Sequence, residues 1–166
     1  VCSSDLVCVF GDYVAVVGVA NWIHPTPSVV AIGKPFVVLL RKSDGVVVKR
    51  WIGSEEGAFY SCISIGGMLY VTGVTIVDGN PYGIYVFDEN LNILTRIRSE
   101  SPSGYLSLAY DGKALYLGGV TSEDVDGDGK LEAVWLVEKR VLDTNISLVN
   151  SKKIYFGSWN EGRILD

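Results

Sequence analysis

The sequence predicts an all-β fold made of repeated units of four short antiparallel strands, on three observations. β-Branched residues dominate, with 24 Val and 12 Ile against 7 Ala, and such residues suit a pleated strand better than a helix. Short apolar runs are broken throughout by Gly, Asp, Asn and Pro, and no stretch sustains a helical period. One heptapeptide, finally, is written three times: VAVVGVA (Val14–Ala20), LYVTGVT (Leu69–Thr75) and LYLGGVT (Leu115–Thr121). Its glycines, Gly18, Gly73 and Gly119, stand 55 and 46 residues apart.

Each copy is preceded by a short apolar strand and a tight turn: VCVF then GD, CISI then GG, SLAY then DGK. Each is followed by a loop of variable length and two further strands. These are PFVVLLRK and VVVKRWI, then GIYVFD and NILTRIR, then AVWLVEK and SLVNSKKIYF. The turns between them, KSDG, DENLN and VLDTN, hold the Asp, Asn and Gly that tolerate turn backbone angles. A second landmark keeps the same phase, because SEEGAFYS, SESPSGYLS and SWNEGRILD each place a Gly (Gly57, Gly104, Gly162) just before a new first strand.

Four antiparallel strands in about 40–50 residues is the arithmetic of a β-propeller blade. A β-sandwich also has many short strands but predicts no four-strand repeat in phase. The expected blades are residues 7–59, 60–104 and 105–163, with 164–166 opening a fourth. Closed propellers have roughly four to eight blades, so the expectation is a fragment of a larger propeller, or a ring closed by missing blades or a second copy. The order of first strand, tight turn, LYVTGVT, IYVFD strand and WIGSEEG link resembles the bacterial and archaeal beta-propeller repeat modules, over roughly residues 7–166. That resemblance implies a propeller, often in a secreted or cell-surface protein, with no catalytic residue to carry over.

A formal charge of −5, from 14 basic and 19 acidic residues, argues against nucleic acid, whose binders cluster Lys and Arg to displace counterions. No apolar run reaches the 18 or so residues of a membrane-spanning helix, so no membrane insertion is expected. The opening VCSSDL is what GTG TGC TCT TCC GAT CT encodes, the end of a widely used sequencing adapter, and residues 1–6 are expected to be non-native on that ground. Cys8 and Cys62 lie ten and eleven residues before Gly18 and Gly73, where the third copy has Leu108. Thiols interchangeable with Leu read as small core residues, not as a disulfide.

In a propeller the second-to-third strand loops and the links emerge on one face. That face would collect NWIHPTPSVVAIGKP, TIVDGNPY and TSEDVDGDGKLE, with Glu55, Glu56, Glu100 and Glu161 from the links. Variable loops on a rigid scaffold are where binding resides, so a protein or glycan ligand is expected there. Acidic links suit cations or basic partners, and equally a solvated surface. The single histidine, His24, sits beside Trp22, Pro25 and Pro27 and reads as a loop residue, because a triad or a His-rich zinc site would rest on this one ring. CISI and SLAY supply no carboxylate pair for acid–base chemistry. Trp51 and Trp135 fall in strand patterns and read as packing.

DVDGDGKLE, Asp124–Glu132, is the most specific signal. Oxygens at alternate positions followed by Gly match the start of a calcium loop, D-x-D-x-D-G. The segment resembles the calcium loops of integrin-type propeller repeats and dockerin modules. Carried over, Asp124, Asp126, Asp128 and Glu132 would bind Ca2+ by side chains and Lys130 by its backbone carbonyl. Those families favour Asp where Glu132 stands. Trp135 at the twelfth position excludes a helix–loop–helix sensor. The functional expectation is a non-catalytic scaffold or recognition module; the alternative is part of a propeller enzyme, of glycosidase or lyase type, with its catalytic residues elsewhere.

Overall fold

The computed structural model describes residues 6–23, 32–99, 104–124, 127–130, 132–142 and 148–158. The described residues contain no helix, and twelve strands form three four-stranded antiparallel sheets, none of which closes on itself. β1 (Val7–Phe10), β2 (Tyr13–Ile23), β3 (Ile32–Arg41) and β4 (Val47–Ile52) make the first. The second holds β5 (Glu56–Ile65), β6 (Met68–Val77), β7 (Asn80–Phe87) and β8 (Ile93–Arg98). The third is β9 (Tyr105–Tyr110), β10 (Ala114–Glu123), β11 (Glu132–Leu142) and β12 (Leu148–Ser158). In every sheet the strands pair in chain order, so each is an up-and-down meander.

The chain divides into two compact units, Val1–Ser107 and Leu108–Asp166. In the first unit, two sheets share one apolar core. Ala15, Val17, Val37 and Leu39 of the first sheet meet Leu69, Val71, Tyr85 and Phe87 of the second. Trp51 closes this core from β4, stacked on Phe59 at 5.8 Å and edge-on to Phe87 at 5.1 Å. It packs as the strand pattern predicts. Trp135 lies in β11 and is 44% exposed.

One backbone hydrogen bond has an equivalent in each of the first two sheets. Gly53 N–H donates to the Pro35 carbonyl at 2.8 Å, and Ser99 N–H to the Pro81 carbonyl at 3.1 Å. Both hooks tie the end of a fourth strand to the start of a third, and both recur at 46 residues (81 − 35 and 99 − 53). The longer step from Gly18 to Gly73 comes from the longer β2–β3 connection. β5 begins at Glu56, so its strand takes in 56–59, which the sequence groups with the first repeat. Leu6, counted among the foreign residues, extends the first sheet: its carbonyl accepts Val17 N–H at 2.8 Å and its side chain packs on the core.

Cys8 and Cys62 are joined by a disulfide, with their Cα atoms 5.9 Å apart, a separation that suits the bond. This overturns the reading of the two as interchangeable core thiols, and strand register supplies the reason. Val7 pairs with Val16, and Cys62 pairs with Val71. Val16 and Val71 each stand two residues before the repeat glycine, so Cys62 corresponds to Val7 and not to Cys8. A one-residue offset in a strand turns a side chain to the opposite face. Cys8 therefore shares a face with Ala15, against the second sheet, and Cys62 shares a face with Val71, against the first.

In the second unit, β10 and β11 bury Leu115, Leu117 and Leu136 on one face together with a charged pair. Glu138 is fully buried and accepts a 2.6 Å hydrogen bond from Arg140 Nε. Two residues apart in one strand, they fall on the same side.

Candidate functional site

The calcium-type loop joins β10 to β11, whose ends pair as Glu123 with Glu132. Among its described residues, Asp124 is exposed, and its carboxylate is turned back into the loop. Oδ1 accepts Gly127 N–H at 2.7 Å and Oδ2 accepts Gly129 N–H at 3.0 Å. Both glycines sit at positive φ, +78° and +84°, a conformation that Gly adopts without a Cβ clash. These two left-handed steps wind the chain around the carboxylate. Each carboxylate oxygen keeps a second lone pair after one such bond, so Asp124 is oriented and still able to ligate.

Asp128 is engaged differently. Its Oδ1 accepts Lys130 N–H at 2.8 Å and its Oδ2 meets Lys130 Nζ at 2.7 Å. The Lys130 side chain and then its backbone N–H hold this carboxyl below its ordinary value. Lys130 is 80% exposed, and an ion pair so solvated contributes little, so a dication could displace it. Asp126 lies outside the described residues, as does the side chain of Glu132. Among the described residues no three His, Cys, Asp or Glu side chains converge on one point. The donor set, hard oxygens on a short glycine-wound loop, fits Ca2+.

Of the predicted acidic links, Glu55 and Glu56 fall among the described residues. Glu55 is no free link acid: it pairs with Arg96 at 3.1 Å, with only 15% of its side chain exposed. Arg96 lies over the Tyr85 ring at 5.3 Å, and the Tyr85 hydroxyl shares a buried 2.7 Å hydrogen bond with Thr75. Burial pushes the Tyr85 phenol up, against the Thr75 hydrogen bond and Arg96. A phenol so raised stays protonated at neutral pH. The Glu55–Arg96–Tyr85–Thr75 chain binds the link to the second sheet. Glu56 is exposed at the start of β5; Glu100, Glu161 and His24 lie outside the described residues.

TIVDGNPY is not an open insert. Val77 pairs with Asn80 across a two-residue turn in which Asp78 and Gly79 both have positive φ, +50° and +75°, the turn that Asp-Gly favours in hairpins. Sequence reasoning missed the Glu55–Arg96 pair and read Cys8 and Cys62 as unbonded core thiols. The cysteine signal was the single-residue difference in their distances to the repeat glycine.

No protein-family model matches this chain, and no curated protein matches it.

Proposed function

We propose that the chain is a non-catalytic β-propeller segment, a scaffold or recognition module of a secreted or surface protein, with a structural calcium loop at Asp124–Glu132. Three successive four-stranded meanders in the same strand order carry this reading. The first two pack through opposite faces of equivalent sheets, as adjacent blades would. The Cys8–Cys62 disulfide supports an oxidising location, since such bonds are rare in reducing compartments.

Five carboxylates, from Glu123 to Glu132, stand against one Lys in the loop. Bound calcium would offset their mutual repulsion and fix the hairpin between β10 and β11. Asp124, Asp126, Asp128 and Glu132 would supply side-chain oxygens, and Lys130 its carbonyl. Ligand linkage then requires stability to rise with calcium, by about 2.7 kcal/mol at a hundredfold excess over the dissociation constant. Thermal melts of the full chain in calcium or in chelator test this. D126A is expected to abolish the rise and E56A, exposed and outside the loop, to keep it. Glu55 is unsuitable as that control because it holds Arg96. Identical melting temperatures at millimolar calcium would reject the metal site.

A further inference from the structure

The first sheet turns a second apolar face outward. Cross-strand pairs put Val7, Val9, Val14 and Val16 on one side of β1–β2, and Val38, Leu40 and Val47 continue that side across β3 and β4. Val7 and Val9 are 55% and 61% exposed. Isolated exposed apolar residues are ordinary, but a contiguous apolar face marks an interface.

The second sheet shows what covers such a face. By register, Val14, Val16, Val38 and Leu40 correspond to Leu69, Val71, Tyr85 and Phe87, and Val7 to Cys62. Those counterparts are buried in the core shared with Ala15, Val17, Val37 and Leu39 of the first sheet, and Cys62 is bonded to Cys8.

Charge makes the same point independently. Arg50 pairs across the strands with Val38 as Arg96 pairs with Tyr85, so the two arginines are equivalent. Arg96 is held by Glu55, which stands in the link between the first sheet and the second. Arg50 is exposed, and among the described residues no carboxylate lies within ion-pair distance of it. The two parts that serve the second sheet, an apolar sheet face and a link carboxylate, are the two that would complete the first.

We propose that the outward face of β1–β4 docks a further four-stranded unit of this repeat, carried on the same polypeptide ahead of β1, with a carboxylate of its trailing link on Arg50. The order follows from the link, because Glu55 reaches Arg96 from the segment that runs directly into β5. A second copy of the chain is a poorer occupant, since its face of Ala15, Val17, Val37 and Leu39 is already buried against its own second sheet. The proposal rests on the reading of the chain as part of a propeller and does not depend on calcium.

Disulfide trapping is the test. Residues 6–60 are repeated ahead of Leu6, which keeps the 55-residue step from Gly18 to Gly73, and V7C puts a thiol at the Cys62 position. Mass spectrometry of the oxidised, protease-cut chain is expected to find Cys8 of the added unit joined to the V7C thiol, beside the native Cys8–Cys62 bond. Such a bond forms without strain only where the Cα atoms lie about 4.4–6.8 Å apart. Its equilibrium constant in glutathione buffer is expected to exceed, by about tenfold or more, that of the bond made when V9C carries the thiol two residues along the strand. Equal constants overturn the docking, folded or not, because a loose tether joins either thiol alike. E55Q in the added unit is expected to lower the V7C constant by about threefold, and an unchanged constant overturns the contact with Arg50. A two-chain species of the extended protein that V9K dissolves would overturn the proposal in favour of a second copy as the occupant.

Discussion

β1–β4 and β5–β8 share a strand order, a backbone hook and a glycine phase, yet their surroundings differ. The second sheet is buried on both sides: Leu69, Val71 and Phe87 on one, Tyr70, Thr72 and Val86 on the other. The first is buried on one side alone. Where the second carries Tyr85 over Val71, the first carries Val38 over Val16. Where Arg96 is held by Glu55, its counterpart Arg50 is exposed. Even the glycines are covered differently. A Cβ on Gly18 would meet the Phe36 ring of the same sheet at 2.9 Å, whereas one on its counterpart Gly73 would meet the Ala58 carbonyl oxygen and Phe59 Cα of β5. The two sheets thus share a strand order, while side-chain size and charge differ with what lies against each face.

Equivalent substitutions sharpen this comparison. The largest difference is expected between Tyr85→Ala and Val38→Ala. Truncating the buried aromatic is expected to cost about 3–5 kcal/mol, and truncating the half-buried Val38 about 1 kcal/mol, measured as shifts in urea midpoint at constant slope. Equal costs would break the distinction between the two faces.

A smaller effect is expected at the arginines. Glu55→Gln leaves the Arg96 guanidinium, 30% exposed, without its carboxylate, at a cost of about 1–2 kcal/mol. Arg50→Met is expected to stay within about 0.5 kcal/mol. A double-mutant cycle of Glu55→Gln with Arg96→Met measures the coupling, and zero coupling would make the pair incidental.

The smallest effect concerns Asp111, which caps the β9–β10 turn. Backbone N–H groups of Ala114 and Lys113, each at 2.8 Å, and the Tyr116 hydroxyl at 2.9 Å lower its pKa from 3.8 to about 2. A carboxyl depressed in the folded state stabilises above its unfolded pKa, and that contribution is lost as pH falls through the folded one. Between pH 4 and 2, wild type is therefore expected to lose melting temperature more steeply than Asp111→Asn. Parallel acid profiles would show that the cap does not act through its charge.

The meanders were legible in the sequence because their turns are written in it. Asp44 and Asp88, like Asp111, accept backbone N–H groups within two to four residues, a local pattern needing no tertiary partner. The Asp-Gly of Asp78–Gly79 was equally plain, yet counting residues between landmarks made a loop of what the backbone folds into a hairpin. What sequence spacing could not convey was the face. Cys8 and Cys62 align to within one residue, and in a strand that single residue separates a shared position from a bridge between sheets. Glu55 looked like one of four link acids, because its partner lies forty-one residues on, at Arg96. In the calcium-type loop, the alternation of Asp and Gly was visible, but not that Asp128 would close on Lys130.

The Cys8–Cys62 bond makes residues 8–62 a covalent ring, with the whole of β2, β3 and β4 inside it. β1 is four residues long and lies at an edge of its sheet, paired with β2 alone, which makes it the strand most ready to peel away. The tether fixes its second residue, so peeling stops there. A cut at the exposed Asp44–Gly45 turn would leave two polypeptides but one molecule, with both halves of the first sheet still moored to the second.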